Sequence, residues 1–213
     1  MQLDQIKETY KEHIELVDTY VQSQERKDLI KAIINTFGED YIISPASSKG
    51  WYHNAFPGGY IDHVNRVIKT SFKVKDLYQS IEGKIDFSDE ELFIAGLFHD
   101  IGKLGYPKKP QYLPQDNKWR RDNLDELYKI NTELEFMKVP DRSLYVLQLF
   151  GFKLSKNEYL GIKLHDGIFE DSNKAYFISN REESRMRTNI VNVLHTADYL
   201  ASKAEYDIHL KNR

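Results

Sequence analysis

The segment "LFIAGLF", Leu92 to Phe98, is apolar or small throughout and runs directly into His99 and Asp100. A helix that is hydrophobic on all sides belongs in an interior. Any fold of this chain must therefore enclose that segment and also satisfy an imidazole and a carboxylate at its end. The pattern recurs. His63 lies in a long amphipathic stretch after "PGGYID", His165 closes "YLGIKL", and Asp198 stands in "VLHTADYLAS" between Leu194, Ala197 and Leu200. Each such group buried without a partner costs roughly 1–3 kcal/mol. Taken singly, each histidine reads as a satisfied core residue and Asp198 as a salt-bridge partner. Taken together, one divalent cation would satisfy all of them.

Helical periodicity dominates the rest of the chain. Residues 3–37 read as two helices, the second stopping at Gly38. The Ser-, Pro- and Gly-rich residues 41–59 read as loop, and Gly59–Ser80 as an amphipathic helix. Ser88 caps a helix with an acidic first turn that is expected to run to about Leu104. Residues 105–122, with three prolines and five basic residues, read as a decorated surface loop or short hairpin, and Asp122–Leu134 as a possible short helix. Further helices are expected from Pro140 to Gly151, from Ser155 to about His165, and over about 182–206, with 167–180 as loop. No run of alternating β-branched residues asks for a sheet. The expectation is an all-α bundle: residues 1–50 as a helical extension packed on a core of residues 51–206, with the polar groups meeting where several helices converge.

Composition narrows the chemistry. There is no cysteine, so thiolate metal sites are excluded and any metal rests on His, Asp or Glu. The net charge of −3 gives no global basic field, and a duplex nucleic acid partner is not expected. No apolar run approaches the roughly 20 residues of a membrane span. The first residues are too polar for a secretory signal, so a cytoplasmic location is expected. His13 and His209 lie in charged surroundings and read as solvated.

The ordered set His63, His99-Asp100 and Asp198, with "PGGYIDHVNRV", "AGLFHDIGK" and "LHTADYLAS" around it, resembles the HD-domain metal-dependent phosphohydrolases over about residues 50–205. That family carries the signature H…HD…D on an all-α fold. The resemblance implies that His63, His99, Asp100 and Asp198 ligate a catalytic divalent ion (Mn, Mg, Fe, Co, Ni or Zn), which supplies an activated water for attack on phosphorus. Asp100 could also take that water's proton or bridge to a second ion. Lys103 and His165 are then expected at the phosphate, as catalytic and substrate-binding residues, with Lys103 alternatively a surface lysine paired with an acidic neighbour and His165 alternatively a ligand to a second metal; His53 reads as a further phosphate contact or as a surface or loop-packing residue. Members with two metals usually supply two extra histidines between the HD pair and the last Asp. Here His165 is the clear one, with Asp166 as an oxygen donor beside it, so one tight ion is expected and a second is possible. His195, one turn before Asp198, reads as packing on a neighbouring helix or as orienting a ligand.

The substrate reads as a small phosphorylated molecule of nucleotide type. Lys108, Lys109, Lys118, Arg120 and Arg121 beside Tyr106, Tyr112 and Trp119 suit a base and its phosphates, with Arg120 and Arg121 as candidate contacts. The same loop could equally be a solvated one. Arg185 and Arg187 could also face the site. Three activities fit: a phosphohydrolase acting on a nucleotide ester or anhydride; a phosphodiesterase acting on cyclic nucleotides or short oligonucleotide ends; and a nucleotide-binding HD module without turnover. A homo-oligomer is possible in each case.

Overall fold

The computed structural model describes residues 1–179 and 181–211. Among them are ten α-helices: α1 (Leu3–Tyr20), α2 (Gln24–Phe37), α3 (Glu39–Ile43), α4 (Gly59–Ser80), α5 (Asp89–Phe98), α6 (Lys118–Leu124), α7 (Val139–Leu149), α8 (Lys156–Leu164), α9 (Lys174–Ile178) and α10 (Ile190–Lys211). Two three-residue strands, β1 (Tyr112–Pro114) and β2 (Tyr128–Ile130), pair antiparallel, with Tyr112 opposite Ile130. No described helix is long and apolar enough to cross a membrane.

The centre is built from α5. Every residue from Leu92 to Phe98 is buried, as an all-apolar helix requires. Around it pack α4, α8 and α10, and α4 and α10 also pack extensively against each other. The start of α5 is fixed by a capping box: Ser88 Oγ accepts from the Glu91 amide and the Glu91 carboxylate accepts from the Ser88 amide. Ser155 and Glu158 repeat the device at α8. Arg26 of α2 then bridges both helices, at 2.8 Å from Glu90 and 2.7 Å from Glu158. At the start of α4 the glycine pair before His63 has a steric reason. A Cβ on Gly59 would collide with the Asn54 carbonyl, so only glycine lets the preceding loop close over the helix.

The expected layout needs several corrections, among them α3, which takes up residues 41–43 of the segment expected as loop. The segment expected as a short helix, 122–134, instead finishes α6 and then forms β2 of a small hairpin. Three-residue strands carry too little alternation to stand out. The helix expected to reach Leu104 ends at Phe98, and Ile101–Leu104 is a 3-10 turn. Ser143 of α7 stabilises that break: its hydroxyl donates to the His99 carbonyl at 2.9 Å and accepts from the Gly102 amide at 2.9 Å. The last helix starts at Ile190, later than expected, and two 3-10 turns and α9 occupy part of the segment expected as loop. His13 is also not solvated. It is fully buried, its Nδ1–H donating to Asn65 at 2.7 Å and its Nε2 accepting from the Tyr41 hydroxyl at 2.9 Å.

Candidate metal centre

Four elements deliver the polar groups to one point. His63 comes from α4, His99 and Asp100 from the end of α5, His165 from the residue after α8, and Asp198 from α10. The break after Phe98 matters here. Asp100 leaves the helical path (φ −112°, ψ 8°), so two neighbours that would diverge on a continuous helix face the same centre.

Most of the separations match those of donor atoms around one ion. His63 Nε2 lies 3.2 Å from Asp198 Oδ1, 3.4 Å from Asp100 Oδ2 and 3.4 Å from His99 Nε2. His99 Nε2 is 3.4 Å from Asp100 Oδ2 and 4.0 Å from Asp198 Oδ1. Ligand atoms about 2.0–2.2 Å from one ion stand about 3.0–3.5 Å from each other. The sets His63, His99, Asp198 and His99, Asp100, His165 each group closely enough to hold a metal ion.

The tautomers support the same conclusion. His63 Nδ1–H donates to the Glu205 carboxylate at 3.1 Å, His99 Nδ1–H to the Gly96 carbonyl at 2.7 Å, and His165 Nδ1–H to the Ile162 carbonyl at 2.8 Å. With Nδ1 as the donor in each ring, each Nε2 lone pair points inward. Lone pairs facing one another across 3.4 Å repel unless a cation or a proton lies between them.

Burial makes the site demanding. His63 and His99 are fully buried and Asp100 is 2% exposed, whereas Asp198 opens to the cleft above. Burial alone would lower His63, but the Glu205 charge and its hydrogen bonds to Asp100, Asp198 and Glu205 hold it well above the usual imidazole range. Burial likewise opposes charge on Asp100, yet Lys103 and His99 hold its carboxyl well below the ordinary value. Against burial, Asp166, Asp100 and Asp198 raise His165 to about 9. In the absence of an ion, the carboxylates thus favour the protonated forms of His63 and His165, and a divalent cation would replace those protons.

Lys103 Nζ sits 2.6 Å from Asp100 Oδ2 and donates to His53 Nε2 at 3.3 Å. Burial, then the positive charge of Lys103, keeps His53 well below the usual imidazole value. His165 Nε2 is 3.6 Å from both Asp100 Oδ1 and Asp166 Oδ1. His53, Asp100, Lys103, His165, Asp166 and Asp198 share one cleft of about 1250 Å³.

Arg120 and Arg121 lie elsewhere. Neither lines the cleft: Arg120 pairs with Glu126 and Arg121 donates to the Gln115 carbonyl. Lys118 pairs with Asp122, so much of the loop's positive charge is neutralised locally. Arg185 and Arg187 are both held by Glu182. The cleft's cationic lining comes instead from Lys103, Lys138, Arg142 and Lys203. His195 hydrogen-bonds the His165 carbonyl at 2.7 Å and braces that segment against α10.

Glu205, absent from the sequence reading, is fully buried as the carboxylate behind His63 and is also 3.2 Å from Arg66 Nε. It stands seven residues after Asp198, on the same face of α10. No family model, curated protein or solved structure matches this chain.

Proposed function

We propose that this chain is a metal-dependent phosphohydrolase of the HD type, cleaving a phosphate ester or anhydride of a nucleotide-type substrate. The observation that carries the reading is the convergence of three inward-facing imidazole nitrogens and two carboxylates at the base of a cleft, with a lysine beside them. His63, His99, Asp100 and Asp198 would hold the ion. When bound, a divalent ion supplies Lewis acidity and lowers the pKa of an attacking water. The remaining residues divide the work. Lys103 and His165, the latter when protonated at Nε2, flank Asp100 and present N–H donors to phosphoryl oxygens, where they offset charge that grows in the transition state. Asp100 Oδ1, facing His165, is the oxygen placed to accept a proton. Glu205 fixes the orientation of His63. Burial of the cluster keeps these dipoles aligned in a low-dielectric site.

A non-catalytic nucleotide-binding module is disfavoured by the complete ligand set. A phosphodiesterase would use the same cluster, and the cleft is large enough for a dinucleotide. A hydrolysis panel with Mn and with Mg decides between these activities. It should include nucleoside monophosphates, deoxynucleoside triphosphates, cyclic nucleotides and a short RNA, tested on the wild type and Asp100→Ala. The expected result is metal-dependent cleavage that falls at least about 1000-fold in Asp100→Ala, as loss of a metal ligand from a catalytic site implies. An Asp100→Ala protein as active as the wild type would remove the proposal.

A further inference from the structure

Resting on that reading, we propose that the substrate is a nucleoside monophosphate, its base stacking on the exposed Phe169 ring, which Tyr199 backs, and its single phosphoryl group at Lys103. The two rings stand 5.9 Å apart at an interplanar angle of 14°, and they remain 73% and 45% exposed. They line the same cleft as Asp100, Lys103 and Asp198. Its volume of about 1250 Å³ far exceeds the needs of a lone phosphate, and is ample for a ligand with a nucleoside attached. Tyr199 directly follows Asp198 on α10, so one turn of one helix presents both a ligand carboxylate and an aromatic face to the cleft.

Phe169 is exposed but held in place. It ends the 3-10 turn Gly167–Phe169, which lies against the His195 ring so closely that a Cβ on Gly167 would clash with it. Gly167 takes the left-handed φ of +57° that this turn needs. The Asn173 side chain donates to the Gly167 carbonyl at 3.2 Å, and His195 ties the turn to His165 at the metal centre. A large aromatic kept in solvent by such bracing is suited to a stacking partner. Planar bases stack on aromatic faces without requiring a particular hydrogen-bond pattern.

The charge distribution sets the number of phosphates. Among the described residues lining the cleft, Lys103 is the lysine or arginine that meets the cluster. Lys138 is paired with Glu170 at 2.6 Å, and Arg142 is hydrogen-bonded to the Gly102 and Glu135 carbonyls. Lys203 lies over the Tyr199 ring at 5.3 Å, at the aromatic end. Lys103 now pairs with Asp100; with an ion in place to take up that carboxylate's charge, Lys103 and the neighbouring His165 would match one phosphoryl group, whereas Lys138, held by Glu170 away from the cluster, leaves little charge for a second and third.

The test compares adenosine 5′-monophosphate, ribose 5-phosphate and adenosine triphosphate on the Mn-loaded full chain, by hydrolysis and by calorimetric binding. Wild type is set against Phe169→Ala, Tyr199→Ala and the conservative Phe169→Trp. The expected KM and Kd for the monophosphate are at least about tenfold below those for ribose 5-phosphate, and either alanine removes that preference while kcat changes less than about threefold. Phe169→Trp retains it. Equal use of ribose 5-phosphate, preference for the triphosphate, or alanine variants with unchanged KM overturns the inference, and leaves the phosphohydrolase reading standing if an ester is still cleaved. If no ester is cleaved, that reading fails, and base-dependent binding in the calorimeter still decides the platform by itself.

Discussion

His63 is positioned by one carboxylate and directed at two others. Glu205 holds its Nδ1–H, and Asp100 and Asp198 face its Nε2. Carboxylates behind metal-binding histidines typically contribute 10–100-fold in metal affinity. Glu205→Gln should therefore weaken Mn binding by about 10–100-fold while leaving the helical content intact, measured by metal titration and circular dichroism. An unchanged affinity would mean that Glu205 merely neutralises Arg66. At this scale the sequence was legible where polarity contradicted its surroundings. His63, His99, Asp100, His165 and Asp198 interrupt apolar stretches, and all five converge. Glu205 was not visible because it follows "SKA" and precedes "YD", in the polar half of α10 where a glutamate is ordinary. Arg120 and Arg121 misled for the converse reason: a cluster of positive residues does not reveal that acids and carbonyls close by already bind them.

Elements carry these residues to the centre through close helix contacts, and α5 against α8 is the tightest relevant one. Gly161 of α8 faces Ala95 of α5; a Cβ built on Gly161 would stand 2.9 Å from the Ala95 Cβ. His99 and His165 end these two helices, with rings 4.8 Å apart. Gly161→Val should force α8 away from α5, destabilise the fold by about 1–3 kcal/mol as overpacking does, and weaken metal binding through displacement of His165. Urea unfolding together with metal titration would show it, and a variant with unchanged stability would contradict the packing argument. Helix starts were legible because Ser88 and Ser155 announce themselves with a glutamate three residues on. The break after Phe98 was not, since nothing in "HDIGKL" forbids helix and the stabilising Ser143 lies 41 residues away from Gly102.

Across the whole molecule, α1 and α2 share the main apolar core with α4 and α5: Val17, Ile30, Ile33 and Phe37 belong to one cluster with Tyr60, Val64 and Phe93. Ile6, His13 and Val17 form the buried face of α1. Charged neighbours such as Lys11, Glu12 and Glu15 disguised His13 as a surface residue, although its spacing from Ile6 and Val17 matched that face. Burial, opposed by Asn65 and Glu12, lowers His13 from 6.5 to about 4. Between those values the unfolded chain binds a proton that the folded chain refuses, so stability rises with pH in that window. The contribution is complete above about pH 6.5 and is lost as pH falls toward 4, amounting to on the order of 3 kcal/mol. Urea unfolding at pH 7, 5.5 and 4.5 should show this loss, and His13→Gln should flatten it; the same slope in both proteins would assign the acid sensitivity elsewhere. The convergence of α4, α5, α8 and α10 on one cation remains the central claim. Its most direct measurement is the metal content of the purified chain after dialysis against Mn, for wild type and Asp198→Ala. The wild type should retain at least about one ion per chain and Asp198→Ala should lose most of it, as removal of a ligand from such a shell implies. A wild-type chain that retains no metal, or a variant that retains as much, would contradict it.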